Sequence, residues 1–241
     1  MTAGHITALW RYPVKSMGGE PVRSAKVDWR GMGGDRTHDV LFDSKTGRRP
    51  LTAREAAGLL EFHASYPFAP DAGLDPADPP AAQVQTPEGR KLSWSDARLR
   101  RRLQEAFGRE LTMQRSREGI QDLGQTLLVT SEATRAALEA ELGRAVDIRR
   151  FRPNVHLRLD GEPPWAEHGW EGRTLRFEGG VVLKLLHPCV RCAIPNRDPD
   201  TTERWPELLR HLAREHETLF GINARVVVAG RIAVGQAVEV D

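Results

Sequence analysis

Residues 181–201 read VVLKLLHPCVRCAIPNRDPDT, and they constrain both the fold and the chemistry of the chain. The segment opens with a run of apolar, largely branched residues that is typical of a β-strand. A turn flanked by prolines follows and carries both cysteines of the sequence, Cys189 and Cys192. Because prolines disfavour a helix at this point, the segment predicts a strand that delivers two thiols to a polar loop.

Short strand-like segments recur along most of the remaining chain. In the first third they are 5–14, 21–29 and 38–43, and in the second half they are 145–150, 155–160, 173–177, 224–230 and 236–240. Helices are fewer, and they are predicted from Thr52, over 95–108, over 131–142 and from Pro206. Many short strands with a few helices between them predict an α+β fold with barrel-like sheets rather than a parallel doubly wound sheet.

The composition is that of a globular protein with little net charge. Of 241 residues, 35 are Lys or Arg and 33 are Asp or Glu, which gives +2 at pH 7. The overall charge therefore indicates neither a nucleic-acid partner nor an acidic one. Glycine aside, the longest apolar run is the segment 226–229, and the first residues lack the apolar stretch of a signal peptide. We therefore expect a cytoplasmic protein with no membrane span.

Three chemical interpretations of the Cys189–Cys192 motif compete with a purely structural one, in which both cysteines act as small buried hydrophobic residues. A zinc site needs two further ligands, and His211 with His216 offers a poor i,i+5 spacing on one predicted helix. A thioredoxin-type dithiol should open a helix, whereas Pro195 interrupts any helix here. The remaining interpretation is one thiolate bound to a soft metal centre beside a phosphate-bearing cofactor.

Such a cofactor requires cationic and hydroxyl anchors, and the sequence offers several. An ammonium or guanidinium group binds phosphate oxygens, and the start of a helix favours an anion. An Arg and an Asn around a rigid proline suit the polar edge of a heterocycle. The candidates are Lys15, Ser16, Arg36, Thr130, Ser131, Arg152, Asn154 and Arg191. Taken singly, each also fits an ordinary surface charge, helix cap or loop residue.

Common catalytic and nucleotide-binding signatures do not occur in the sequence. It contains no Gly-x-Ser-x-Gly elbow, no Walker loop and no His-Glu-x-x-His. Gly31, Gly33 and Gly34 do not form a dinucleotide fingerprint, because the strand-like segment 38–43 follows them in place of a helix. Nucleotide-binding classes are therefore disfavoured.

Taken together and in this order, the motifs resemble the MOSC family in the form that carries an N-terminal β-barrel partner. The matching segments cover nearly the whole chain: LWRYPVKS (9–16), GGDR (33–36), LTARE (51–55), RFRPN (150–154), PCVRCAIPNRDPDT (188–201) and 220–240. The pairing of Pro-Cys-x-Arg-Cys with Asp-Pro-Asp-Thr is the most specific of these. Within the family, the chain is similar to the mitochondrial amidoxime-reducing component and to bacterial enzymes that reduce N-hydroxylated bases.

The resemblance implies two β-rich lobes, an N-terminal β-barrel-like domain over 1–115 and a MOSC β-barrel domain over 116–241. It places the molybdenum cofactor, a molybdopterin carrying molybdenum, in the cleft between them, with Cys192 as the thiolate ligand of the metal. The eight anchors named above would then hold the cofactor. Asp198, in the loop beside the metal, becomes a candidate for proton delivery, with Asp200 a weaker one.

The activity that the resemblance implies is an oxidoreductase reaction, the two-electron removal of oxygen from N-hydroxylated or N-oxygenated small molecules. Because the sequence has no further cysteines to ligate an iron–sulfur cluster, electrons are expected from a separate reductase. One alternative is a carrier or transferase of sulfur or of the cofactor, in which a cysteine holds a persulfide. Another is a small redox module with a reversible disulfide. Val190 stands where relatives often have a small hydroxyl residue, so one cofactor hydrogen bond would be lost.

Overall fold

The computed structural model describes residues 2–116 and 124–241 as a succession of short strands with three α-helices. The first half contains β1 (Thr2–Arg11), β2 (Glu20–Val22), β3 (Ser24–Asp28), β4 (Gly31–Met32), β5 (His38–Ser44), β6 (Gly47–Pro50), β7 (His63–Ser65), β8 (Gln83–Gln85), β9 (Lys91–Ser93) and β10 (Thr112–Arg115). The second half contains β11 (Leu127–Ser131), β12 (Val155–Leu159), β13 (Thr174–Phe177), β14 (Val182–Val190), β15 (Leu219–Val228), β16 (Gly230–Ala233) and β17 (Ala237–Val240). The helices are α1 (Ala97–Phe107), α2 (Glu132–Leu142) and α3 (Pro206–Glu215), and 3-10 turns cover Ala57–Glu61, Ile148–Phe151, Ala166–Gly169 and Ile194–Asn196.

Seven strands close into a barrel in the order β12-β11-β15-β14-β13-β17-β1, and the pairing of β1 with β12 completes the ring. Only the β11–β12 pair of this ring is parallel among the described strands. The inward-facing side chains form one apolar core that includes Ile6, Leu157 and Leu183, all 0% exposed. Closure leaves these strands without free edges, so the barrel forms a firm wall for the loops at its end.

Gly221 shows how closely two strands of the barrel approach each other. It has a φ of 73°, a left-handed value that side chains rarely adopt, where β15 runs beside β11. A Cβ atom at this position would lie 2.7 Å from the carbonyl oxygen of Val129. Only glycine fits both the backbone conformation and the contact.

A second apolar core lies in the N-terminal lobe. One three-stranded sheet contains β10, β5 and β6, another contains β7, β8 and β9, and α1 packs against them through Leu99 and Leu103. The side chain of Asp96 accepts a hydrogen bond from the backbone of Arg98 at the start of α1, and Gly108 ends the helix with a φ of 61°. Asp96, rather than Ser95, is therefore the residue that caps this predicted helix.

A third core joins the two C-terminal helices. Leu138 of α2 packs with Leu208 and Leu212 of α3 and with Phe220 at the start of β15, and all four are 0% exposed. Ser131 caps α2 by accepting from the backbone of Thr134. The helix pattern read from the sequence is thus confirmed over this segment.

The two halves of the chain exchange strands. β1 belongs to the barrel although it begins the chain, and β16, near the end, pairs with β3. The predicted domain division after residue 115 stays a prediction, and most of the segment just beyond it, 117–123, lies outside the described residues. Across the described part of the chain, none of the helices has the length and apolar character that crossing a bilayer requires.

The predicted α+β class with barrel-like sheets is confirmed, and two local predictions are wrong. The segment 145–150 was expected to be a strand, but Ile148–Phe151 is a 3-10 turn, because the Asp147 carboxylate accepts from the backbone of Arg149 and starts the turn. No α-helix begins at Thr52: the described chain there makes a turn over 53–55 and then the short 3-10 helix Ala57–Glu61. A glycine, Gly58, interrupts this segment and weakens its helix propensity.

Candidate active site

A cleft of about 560 Å³ opens between the N-terminal lobe and one end of the barrel. Its walls come from the turn after β1, the segment around Thr52, the start of β11, the loop 151–154 and the end of β14. Most of these segments lie at or near the ends of strands, so the arrangement of the strands determines the shape of the cleft. Among the described residues that line it, none is Asp or Glu.

Five cationic side chains line the cleft: Lys15, Arg36, Arg54, Arg152 and Arg191. Carboxylates stand only behind the described lining, where Asp35 pairs with Arg36 and Asp39 lies near Lys15, so the five cations still leave the cleft with net positive charge. Clefts with one sign of charge and low-dielectric walls raise the local concentration of oppositely charged ligands. The cleft is therefore suited to an anionic ligand.

Arg36 is held in place by contacts on both of its sides. Its Nη1 pairs with the buried carboxylate of Asp35, whose other oxygen accepts from the backbone of Tyr12 at 2.7 Å. Its Nη1 also donates to Oδ1 of Asn154, and its Nη2 donates to the carbonyl of Arg152, each at 3.2 Å. Arg36 therefore ties the N-terminal lobe to the loop 151–154.

Arg152 is the most deeply placed cation of the cleft, with 9% of its surface exposed. Its Nη1 donates to the carbonyl of Met17 at 2.6 Å, and its guanidinium lies over the Tyr12 ring, 4.2 Å from the centroid. Burial, and then the nearby Arg36, lower the pKa of Arg152 to about 10, while the Cys192 thiolate is among the charges that oppose this. The buried Nη2 has no hydrogen-bond partner among the described residues, so one donor remains for a ligand.

Asn154, a predicted cofactor anchor, uses both ends of its amide within the protein. Its oxygen accepts from Arg36 and from the backbone of Leu128, each at 3.2 Å, and its nitrogen donates to the carbonyl of Trp10 at 3.3 Å. The side chain is 0% exposed. It therefore fixes the loop and Arg36 rather than presenting a free donor to the cleft.

Three non-glycine residues of the cleft have left-handed backbones: Ser16, Arg36 and Arg152, with φ of 68°, 48° and 56°. For such residues this conformation costs on the order of 1–3 kcal/mol, and it persists only where the surrounding structure imposes it. Strain of this kind concentrates at ligand sites. Its presence at three lining positions is independent support for a functional cleft.

Both cysteines line the cleft and neither forms a disulfide. Cys192 is exposed and Cys189 is half-buried. Arg191 donates from Nη1 to Sγ of Cys189 at 2.9 Å and from Nη2 to the carbonyl of Phe151 at 2.8 Å, and its buried Nε has no partner among the described residues. The guanidinium between the cysteines is therefore engaged with Cys189, which leaves the sulfur of Cys192 open to the cleft.

Asp39, which the sequence did not single out, lies in β5 behind Lys15 and is 1% exposed. Burial raises the pKa of Asp39 to about 6, although the charge of Lys15 opposes the rise. Burial also lowers the pKa of Lys15, against the effect of Asp39. The sequence gave no distinct signal for this pair, because Asp39 is far from Lys15 in the chain and charged residues are common in strands.

Thr130 and Ser131 are not brought to the cleft, although they were predicted as anchors. Oγ1 of Thr130 lies 2.8 Å from Nδ1 of His156, and it is 1% exposed. Ser131 caps α2 and donates to the Glu167 carboxylate at 3.1 Å. Both hydroxyls face the barrel and the helix layer, since β11 continues past the cleft before α2 begins.

Asp198 also lies outside the cleft lining. Its Oδ2 accepts from Arg150 at 2.9 Å, and its Oδ1 accepts from the backbones of Asp200 and Thr201 at 3.1 and 3.0 Å. Burial raises the pKa of Asp198, but these backbone bonds and Arg150 outweigh it, so the pKa lies below its usual range. Asp200, the weaker candidate, pairs with Arg149 at 2.6 Å. The loop carboxylates thus brace the loop.

The lining includes six polar residues that were not predicted as site residues: Thr52, Arg54, Gln125, Thr126, His187 and Asn223. The first two belong to a segment interpreted as a helix start, which concealed their role. Asn223 lies in β15, where a half-buried amide in a largely apolar strand was a usable signal.

Two family models match the chain: the MOSC N-terminal beta barrel domain over residues 3–114 and the MOSC domain over residues 121–239. Mitochondrial amidoxime-reducing component 1 of Homo sapiens is 36% identical over 74 residues, which cover 31% of this chain and 20% of that protein. Mitochondrial amidoxime reducing component 2 of Macaca fascicularis is 25% identical over 237 residues, 82% of this chain and 68% of that protein. The match to the human protein thus spans a fifth of its length.

A solved structure has a similar fold along the whole chain. The crystal structure of the YUAD protein from Bacillus subtilis superposes with a TM-score of 0.54 at 15% sequence identity, covering 100% of this chain and 98% of that chain. At this identity the similarity concerns the fold alone.

Proposed function

The chain belongs to the MOSC family, and from that premise we propose that it is an oxidoreductase that binds the molybdenum cofactor and reduces N-hydroxylated or other N-oxygenated compounds. The observation that carries the proposal is the convergence of an exposed cysteine, Cys192, with five cationic side chains in one cleft. The names of the relatives, which are amidoxime-reducing components, favour this class of substrate.

The donors of the cleft fit such a cofactor. A molybdopterin carries phosphate and dithiolene charge, which cationic side chains balance. Two buried guanidinium nitrogens, Nη2 of Arg152 and Nε of Arg191, have no partner among the described residues and would donate to its oxygens. A soft thiolate such as that of Cys192 suits a metal already bound by sulfur.

We assign the roles of the residues accordingly. Cys192 would be the metal ligand, and Lys15, Ser16, Arg36, Arg152 and Arg191 would hold the cofactor. Asn154 would act through Arg36, to which it is hydrogen-bonded. Thr130 and Ser131 would contribute only indirectly, by fixing β11 and α2.

When bound, the cofactor supplies two-electron reduction, in which an N-hydroxylated base, two electrons and two protons give the parent base and water. The protein binds and orients the reactants and tunes the charge around them. The half-buried ammonium of Lys15, with its lowered pKa, is a better placed proton carrier than Asp198, because it lines the cleft. Electrons would come from outside these 241 residues, since their two cysteines are too few to hold a four-cysteine iron–sulfur cluster.

The decisive experiment is to purify the protein from a host that makes the cofactor and to measure molybdenum per chain together with benzamidoxime turnover, using a chemical reductant. We expect one metal per chain and turnover in the wild type. The Cys192→Ser variant should lose both, whereas the matched Cys189→Ser variant should keep the metal. A wild type without molybdenum, or with molybdenum but no activity on any N-oxygenated compound, would contradict the proposal.

The exposure of Cys192 also favours a second candidate, transfer of sulfur through a persulfide. A cysteine desulfurase would donate the sulfur to the thiolate, with no other oxidant required. Mass spectrometry after incubation with desulfurase and cysteine should then show a gain of one sulfur atom on the peptide that contains Cys192. An unmodified peptide eliminates this candidate.

A further inference from the structure

A carboxylate and two imidazoles converge outside the cleft, between α2 and α3. Nε2 of His211 and Nε2 of His216 lie 2.6 and 2.7 Å from the same oxygen, Oε2 of Glu141. We propose that these three side chains form a binding site for a divalent transition metal ion, best matched by Zn²⁺, which joins α2 to the end of α3. The site is independent of the proposed function of the cleft, because none of its residues belongs to the cleft lining.

The end of α3 makes this convergence possible and corrects an expectation from the sequence. Residues five apart on a continuous helix point about 140° away from each other, which is why this histidine pair was rejected as a chelate. The helix, however, ends at Glu215, and His216 has φ −136° and ψ 29°. Because the backbone of His216 is not helical, its side chain is not held at the position that a continued helix would give it. The ring centroids of His211 and His216 therefore lie only 5.8 Å apart.

The donor set matches zinc chemistry. Imidazole nitrogen and carboxylate oxygen are ordinary ligands of Zn²⁺, whereas Ca²⁺ and Mg²⁺ prefer oxygen ligands throughout. The three ligand atoms lie within 4.8 Å of one another. In a tetrahedral site with bonds near 2.1 Å, ligand atoms stand about 3.4 Å apart, so each hydrogen-bonded pair must widen by less than about 1 Å. Glu141, on the last turn of α2 and 30% exposed, has room for this adjustment.

The surroundings hold one ligand in position before any ion binds. The ring of His216 stacks on Trp165, with centroids 3.6 Å apart and planes 20° from parallel. Trp165 is itself anchored, since its backbone donates to Oγ1 of Thr134 at 2.8 Å. The side chains of His211 and His216 are 12% and 15% exposed, which shields the site while leaving access from solvent. Fixing the ring orientation in this way strengthens metal binding.

The site lies between two helices that also pack together in the apolar core that includes Leu138, Leu208 and Leu212. A bound ion would close a link between these helices at the surface end of that core. With three protein ligands, water would complete the coordination. Because the ion would link α2 to α3, we assign it a role in stabilising the packing of these two helices.

The test uses the full chain, stripped of metal by a chelator, and titrated with Zn²⁺ by calorimetry. Because thiolates also bind zinc, the titration is repeated in a background with both cysteines changed to serine, where one site per chain should remain. Glu141→Gln and His211→Asn should weaken that site by about tenfold or more. Glu215 is a carboxylate on α3 next to His216, so Glu215→Gln is the matched control and should leave the zinc affinity of the site unchanged.

Two further measurements make the result independent of the serine background. In the wild type, Co²⁺ bound at this site should give visible d–d bands that Glu141→Gln removes while any thiolate charge-transfer band stays. Zinc at a hundred times its Kd should raise the folded-to-unfolded ratio about a hundredfold, and Mg²⁺ should not. The proposal is overturned if folded Glu141→Gln and His211→Asn bind zinc and show Co²⁺ bands as the wild type does. It is also overturned if changing only the two cysteines abolishes zinc binding and the Co²⁺ bands.

Discussion

Arg36 and Asn154, which lie 118 residues apart in the chain, share a hydrogen bond of 3.2 Å across the base of the cleft. Asn154 also accepts from the backbone of Leu128 and donates to the carbonyl of Trp10. One buried amide thus joins the N-terminal lobe, β11 and the loop 151–154. The cleft depends on this connection, because two of its cations, Arg36 and Arg152, are positioned beside it.

Removing that amide should destabilise the protein. Asn154→Ala leaves the donors of Arg36 and Leu128 and the acceptor of Trp10 without their partner, and an unsatisfied buried group costs about 1–3 kcal/mol. We expect a loss of at least about 2 kcal/mol in the free energy of unfolding, measured with urea. Asn223→Ala, at a half-buried position of the same cleft, is the control and should lose less than half as much. Equal losses would argue against the connecting role of Asn154.

Arg152 should matter more to cofactor retention than Arg54, although both line the cleft. Arg152 is buried and retains a free donor, whereas Arg54 is exposed, where water and salt weaken charge interactions. We expect Arg152→Met to reduce molybdenum per chain about tenfold and Arg54→Met by less than about threefold, roughly 1.4 against 0.6 kcal/mol. The metal content of the two purified variants decides the matter, and the reverse order would refute this ranking.

Asp39 should make the protein less stable as the pH rises. Burial raises the pKa of Asp39 to about 6 in the folded state, above the ordinary value of 3.8, so the folded state binds its proton more tightly. Stability therefore falls between about pH 4 and pH 6, by up to about 3 kcal/mol. Asp39→Asn should be more stable than the wild type above pH 7 and equal to it near pH 4. Urea unfolding across this range measures the difference, and a difference that does not vary with pH would rule out the effect.

His38 should act in the opposite direction. It is 0% exposed, its Nε2 accepts from the backbone of Ala82 at 3.4 Å, and its Nδ1 donates to Oγ1 of Thr37 at 2.9 Å. Burial lowers the pKa of His38 to about 4, so the stability present above pH 6.5 is lost as the pH falls towards 4.

His38→Gln should therefore lose this rising contribution, so its stability should fall more steeply between about pH 4 and pH 6 than that of the wild type, in which Asp39 and His38 oppose each other. The variant should also be less stable at pH 7, because it packs less well against Trp94. The wild-type curve alone does not separate this effect from that of Asp39, since the two slopes oppose each other over the same range. Equal slopes for His38→Gln and the wild type would show that His38 does not titrate as the structure indicates.

The sequence predicted those features that depend on neighbours in the chain. Alternating apolar residues gave the strands of the barrel, and Gly108 and Ser131 marked an end and a start of helices correctly. The motifs, including the one around Cys192, carried the resemblance to the MOSC family, and the family models confirm that resemblance. Local signals suffice here, because caps and periodicity act within a few residues.

The errors arose where a local pattern admits two structures. The segment 145–150 alternates like a strand, but Asp147 turns it into a 3-10 helix. Thr130 and Ser131 resemble an anion site at a helix start, yet the direction of β11 turns them towards His156 and Glu167. The first outcome had a local signal, Asp147, which the alternation concealed, whereas the second depends on what packs beside the segment.

By itself, the amino-acid sequence determined which elements form and which kinds of donor the protein carries, because propensity, capping and residue chemistry are properties of short segments. Tertiary structure alone decided which distant side chains meet: Arg36 with Asn154, and Glu141 with His211 and His216. The physical reason is that such contacts depend on how separate elements pack and where each one ends. Because α3 ends at Glu215, one residue before His216, two histidines whose sequence spacing is poor for chelation become candidate ligands of one ion.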